Sequence, residues 1–177
     1  MKKLLLTALL LATFTVSFAQ TSREDFKASM ERMEKLKKLS VPKTTSINTL
    51  DDLNNKIGSS AVEAISITPL LQNLYYRSVG QTNDGVTDVS VKKPTMKECE
   101  ELAARIFLQS KNVEALSSSI TSATSEATKV TNPLKLVKIT SAVNYAKDAS
   151  SLLGTETLFQ TKAIKSIMET LKTAGNL

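Results

Sequence analysis

From Cys99 to Val130 the apolar residues recur with a seven-residue period, and this repeat limits the possible folds more than any other feature. Cys99, Ile106, Val113, Ile120 and Ala127 form one column, and Leu102, Gln109, Leu116, Ala123 and Val130 the other. Nine of these ten positions are apolar, against five of the other 22 residues in the stretch. Three-then-four spacing puts both columns on one side of an α-helix, the pattern of coiled-coil packing. Thr95 and Glu98 have the spacing of a capping box directly after Pro94, and Asn132-Pro133 stops the pattern. One helix is therefore predicted over 95–130, about 54 Å long at 1.5 Å per residue.

A second seam follows: Leu136, Ile139, Val143, Ala146, Ser150, Leu153, Thr157, Gln160, Ile164, Ile167, Leu171 and Ala174. Its polar exceptions gather around Gly154, where Leu158 and Phe159 fall off the seam. Either one long helix is faulted there, or two helices meet with Thr155 capping the second. Two matched seams joined by a short turn predict an antiparallel helical hairpin. Ile106, Val113, Leu116 and Ile120 are expected to be buried against Leu136, Ile139 and Val143, with the first half of the chain covering the hairpin.

That first half also reads as helix. Thr21 and Glu24 match a capping box, and Phe26, Met30, Met33 and Leu36 follow at helical spacing, predicting a helix over 22–39. Glu31–Lys35 and Glu34–Lys38 are i,i+4 pairs on its solvated side. Pro42 makes 40–46 a loop. A second helix is predicted from about Thr49, with Asp51 and Asp52 in its first turn, where the helix dipole favours acids. Its seam is Ile47, Leu50, Ile57, Ala61 and Ala64, with Asn54 interrupting. Thr68-Pro69 has the form of a cap and first turn, so a kink or restart is expected there, followed by Leu70, Leu71, Leu74, Tyr75 and Val79. Residues 80–94 form an irregular loop with a tight turn at Asp84-Gly85 and, at Val86, Val89 and Val91, the makings of a small hairpin. The fold class expected is all-α: an elongated bundle built around a long helical hairpin.

The N-terminus has the pattern of a secretory signal peptide. Lys2 and Lys3 precede an apolar run from Leu4 to Val16, and Ser17-Phe18-Ala19 places small residues at the cleavage positions. The leader resembles those of bacterial exported proteins. Cleavage would leave 20–177 as a single helical domain starting at Gln20, a residue able to cyclise to pyroglutamate. That chain has 21 basic and 17 acidic residues, a net charge of +4. Cys99 is the one cysteine, so no internal disulfide forms; its place on the seam reads as a small buried hydrophobe rather than a cross-link between chains.

Chemistry is thinly represented. The chain has no His, which removes the commonest acid–base group and metal ligand. Ser40-Val-Pro-Lys43 and Ser90-Val-Lys-Lys93 match S-x-x-K, but both read as loops, and Lys172-Thr173-Ala174 only approximates the companion K-T-G. Glu98, Glu100 and Glu101 are candidate acid–base carboxylates, yet they stand where a helix N-terminus favours acids. Asn83, Asp84 and Asp88 lack calcium-loop spacing. No glycine-rich phosphate loop is present, and alternating acids and bases in 30–39 argue against a nucleic-acid arm. Between Ser117 and Thr128 there are eight Ser or Thr residues, which weaken the helix by roughly 4 kcal/mol relative to Ala. That run is either a solvated face or a polar contact surface.

No catalytic, cofactor or metal residue is assigned. The function expected is that of an exported, non-enzymatic protein, periplasmic or secreted, working through protein–protein contacts as a binding or assembly component of the bacterial envelope or surface. Its partner would be an envelope or surface protein or a second copy of the chain, and not a nucleic acid. The alternative is a membrane-active protein whose amphipathic helices open onto an anionic membrane surface.

Overall fold

The computed structural model describes residues 21–174, so the leader at 1–19 and the Gln20 terminus lie outside the described residues. The described residues are all-helical and fold as a packed bundle of four helices: α1 (Arg23–Lys38), α2 (Asn48–Ser78), α3 (Met96–Ala127) and α4 (Pro133–Ala174). Helices α2, α3 and α4 pack on one another, while the α1 backbone lies against α2 and α4.

The core divides into two apolar clusters. One joins Met33 and Leu36 of α1, Leu50, Leu53 and Ile57 of α2, Val113, Leu116 and Ala123 of α3, and Ile139, Ala146 and Leu153 of α4. The other joins Phe26, Ile67 and Leu71, Cys99, Leu102 and Ile106, and Ala163, Ile164 and Ile167. The early part of α3 thus shares a cluster with the late part of α4, and the late part of α3 with the early part of α4. Every position of the α3 seam is buried except Ile120 and Val130, which are partly buried against the first cluster.

Several local expectations are corrected. The cap of α1 is Ser22, not Thr21: Asp25 Oδ2 accepts from the Ser22 amide at 2.8 Å and from its hydroxyl at 2.9 Å. Two overlapping boxes exist in the sequence, and periodicity does not choose between them. The buried stripe of α1 is Phe26, Ser29, Met33 and Leu36, while Met30 is exposed. The expected restart at Thr68-Pro69 is absent, and α2 runs through it. Pro69 faces solvent, so the hydrogen bond it cannot make falls on the hydrated side. The α2 cap position, Ile47, has no side-chain bond; instead Asp51 reaches back to accept from Thr45 and Ser46.

Helix α3 ends at Ala127, three residues early, where the Lys129 and Val130 amides bond to carbonyls three residues back and tighten the chain toward α4. Gly154 does not break α4, and the Thr155 hydroxyl bonds the Ser151 carbonyl rather than capping a new helix. Leu136 is 39% exposed, because the buried stripe of α4 runs through Ile139, Ala142, Ala146, Ala149 and Leu153, and Leu136 stands off it. The 80–94 segment forms a minimal hairpin with one bridge, Gln81 to Thr87, turning at Gly85, whose φ of 75° suits glycine.

Ile106 is 1% exposed, and truncating a buried Ile to Ala typically costs about 2–5 kcal/mol. Chemical denaturation of Ile106→Ala should show a loss in that range. Ser118→Ala, on the exposed side of the same helix, should be neutral or slightly stabilising. Equal stability of the two variants would mean that the seam is not the core.

Candidate functional site

Two features carry polar groups in unusual settings: a buried layer between the apolar clusters, and a furrow between α2 and α3. The layer is centred on Glu156, which is 0% exposed. Its Oε1 accepts from the Ser29 hydroxyl at 2.5 Å and the Thr68 hydroxyl at 2.9 Å, and its Oε2 from Arg32 Nε at 2.9 Å. Gln160 Nε2 donates to the Ala64 carbonyl and to Thr68 Oγ1, both at 3.1 Å. The Thr68 hydroxyl has one proton, for which the Glu156 carboxylate at 2.9 Å and the Ala64 carbonyl at 3.2 Å are the two acceptors. Arg32 also lies over the Phe159 ring, 5.5 Å from its centroid, and Phe159 meets Phe26 edge-on at 5.2 Å. Charge and hydroxyls together lock α1 onto α2 and α4. Sequence reading missed Glu156; of its partners only Gln160 stands on a seam in the sequence, while Met30 reads as core in place of Ser29 and Thr68 reads as a cap.

The furrow runs along the one side of α2 that α1 does not cover. Three clefts lie end to end in it, of about 290, 760 and 300 Å³. Arg105 lines both the first and second, and Lys56 and Ser119 both the second and third. Arg105 spans the furrow as a bar: its Nε and Nη2 donate to Glu63 Oε1 at 3.1 and 2.9 Å, and Nη2 to Ser66 Oγ at 2.9 Å. In the middle cleft Gln109 is 1% exposed; its Nε2 donates to the Ser60 carbonyl at 2.7 Å, while its Oε1 has no partner. The cleft exists because α2 presents Ser59 and Ser60, and α3 Ala115 and Ser119, where longer side chains would fill the gap. Its apolar lip is Leu108, 63% exposed. Ser118, Ser119 and Ser122 line the last cleft, so part of the Ser/Thr run faces the furrow.

The residues weighed for chemistry are dispersed. Glu98 is a clamp: its carboxylate accepts from the Thr95 amide at 2.6 Å and from Arg77 Nη1 at 2.9 Å, tying the end of α2 to the start of α3. The Arg77 hydrogen bond, then those from Thr95, hold its carboxyl at about 2, far below the usual carboxylate range. Glu101 stands 4.0 Å from Lys97, and Glu100 is exposed. Ser40 and Lys43 occupy the 39–47 loop, Ser90 and Lys93 the 79–95 loop, and Lys172 the last turn of α4. Ser90 donates to Asp88 Oδ1, and Asn83 Oδ1 accepts from Asn73. Among the described residues no group of three His, Cys, Asp or Glu side chains is placed to hold a metal ion. Cys99 is fully buried, and burial, followed by the neighbouring Glu98 charge, pushes its thiol pKa up, leaving it unreactive. No described helix is long and apolar enough to cross a membrane. The chain matches no family model, no curated protein and no solved structure.

Two tests follow. Glu156→Ala strands Arg32 and two hydroxyls, and should cost about 3–5 kcal/mol in denaturation, with the double variant Arg32→Leu/Glu156→Leu recovering part of the loss. A single variant as stable as the parent would remove the layer from its structural role. For Glu98, the folded-state pKa lies below the unfolded one, so its contribution is present above pH 4.5 and is lost as pH falls toward 2. The thermal midpoint of the parent should therefore drop more steeply over that window than that of Glu98→Gln.

Proposed function

We propose that this chain is an exported, non-enzymatic protein that acts by contact, holding a protein partner in the α2–α3 furrow. The observation that carries the reading is the continuity of the three clefts, with a polar floor and an exposed apolar lip at Leu70 and Leu108. Such a surface suits recognition: hydrogen-bonding groups fix the orientation of an occupant, and large apolar side chains at the rim supply buried area. The residues considered for catalysis are spread over two loops, the ends of α3 and α4, and a cap, and this dispersal favours binding over chemistry. Periplasmic or secreted location rests on the leader pattern, and the partner is an envelope or surface protein.

The test is photocrosslinking. A crosslinking amino acid at Asn112, which is exposed and lines the middle cleft, should capture a discrete partner in cells. The same group at Glu31, exposed on α1, should not. Ala115→Arg, which fills the cleft from an exposed position, should lower capture roughly tenfold or more without changing the melting midpoint. Equal capture at both positions, or capture untouched by Ala115→Arg, would move the contact surface elsewhere.

A further inference from the structure

The longest described helix carries the largest excess of lysine over acid. Helix α4 holds six lysines, Lys135, Lys138, Lys147, Lys162, Lys165 and Lys172, and three acids, Asp148, Glu156 and Glu169. Glu156 is turned inward and met by Arg32, leaving two exposed acids. All six lysines are exposed, and none joins an ion pair among the described residues. Helix α3 shows the opposite pattern. Its three cations, Lys97, Arg105 and Lys111, each lie within 4.0 Å of a carboxylate, and its acids number five. Lysines without an ion pair also stand on α1 (Lys27, Lys35 and Lys38) and in the furrow (Lys56), and Asp25 of α1 interacts electrostatically with Lys162, but α4 holds the largest such group on one helix.

Within α4 the charge is ordered. At 3.6 residues per turn, Lys147, Lys162, Lys165 and Lys172 fall within about 80° of one another, along roughly 38 Å of helix. Leu158 lies in the middle of this sector and is 74% exposed. Glu169 is the one acid in the sector, and Asp148 borders it. At the start of the helix Val137, 76% exposed, borders this sector, while Lys135 and Lys138 lie outside it on the other side of the helix. The opposite face is fully engaged in the core through Leu153, Ile164 and Ile167.

We infer that this face of α4 docks the closed bundle onto a bilayer rich in anionic lipid. The cations are all lysines, point charges that suit a diffuse layer of headgroups; the planar, bidentate recognition that arginine gives phosphates in nucleic acids is missing, and no aromatic platform stands in the sector. Leu158 and the lysine stems supply apolar surface at the level of the headgroups, while the ammonium groups stay in water. A straight row of this kind makes a line contact with a flat surface and needs no groove. Because the core face stays packed, docking leaves the bundle intact, which separates this mode from a helix that opens onto the membrane. It rests on α4 alone and is independent of the furrow reading.

The test is co-sedimentation of the chain beginning at Gln20, which retains all four helices, with vesicles of phosphatidylcholine alone or mixed with phosphatidylglycerol. The parent should bind the mixed vesicles, and the binding should fall at least tenfold as salt rises to about 1 M, where the screening length is about 3 Å. The set Lys147→Gln, Lys162→Gln, Lys165→Gln and Lys172→Gln should lose most of the binding with its melting midpoint unchanged, since all four are exposed and Gln is a good helix former. Leu158→Ser should weaken it a few-fold. Equal binding to both vesicle types, full binding by the Gln set, binding retained at high salt, or tighter binding to duplex DNA than to the mixed vesicles would each overturn the inference. Loss of α-helical circular dichroism on binding would overturn the closed-bundle mode.

Discussion

Glu156 is the one fully buried carboxylate among the described residues, and the placement of three helices depends on satisfying it. A buried charge is tolerated only with close partners, and here they come from different elements: Ser29 and Arg32 from α1, Thr68 from α2. A slide of one turn by any of these helices would strand the carboxylate. The apolar clusters on either side are less demanding, since Leu, Ile and Ala repack at modest cost. Burial therefore supplies most of the stability, and the polar layer supplies the register. Arg32 is the link to solvent, with 18% of its side chain exposed, so the pair is dry at the acid and partly hydrated at the base.

Placing α1 in this way decides which surface remains open. Three helices packed together leave grooves between their pairs, and α1 fills the one between α2 and α4 with Phe26, Met33 and Leu36. The α2–α3 groove keeps its own ties instead. Arg77 to Glu98 closes one end, Arg105 to Glu63 crosses the middle, and the Thr49 hydroxyl reaches Glu126 near the other end at 2.6 Å. These polar ties hold α2 and α3 at fixed spacing without filling the space between them. Hydrogen-bonding groups along the walls are the natural result.

The seam of α3 was legible because a repeat of seven survives any detail of packing: Cys99, Leu102, Ile106, Val113 and Leu116 are all buried where the pattern puts them. Positions failed where identity and environment part company. Met30 is apolar and reads as core, yet the stripe passes through Ser29, whose small size and hydroxyl serve Glu156. Ser150, Thr157 and Gln160 read as a fault near Gly154; in the fold, Gln160 belongs to a polar layer crossing an unbroken helix. Pro69 reads as a start because its missing donor costs most inside a helix, but on a solvated side that cost is small enough for α2 to continue. The furrow had no sequence signature beyond the Ser/Thr run, since an open groove depends on which neighbour is absent.

The Ser/Thr run joins the local and global levels. Its residues are poor helix formers because their hydroxyls compete for backbone groups, and Ser118 and Ser119 both bond the Ala115 carbonyl. Leu116, Ala123 and Ala127, all buried, hold the helix in place against that tendency. Long side chains at Ser118, Ser119 and Ser122 would favour the helix but close the last cleft against Thr49 and Leu53. Small polar residues leave it open and keep its walls hydrogen-bonding. The same substitutions that cost helix propensity thus create the shape of the furrow, and the seam beneath them is what makes that cost tolerable.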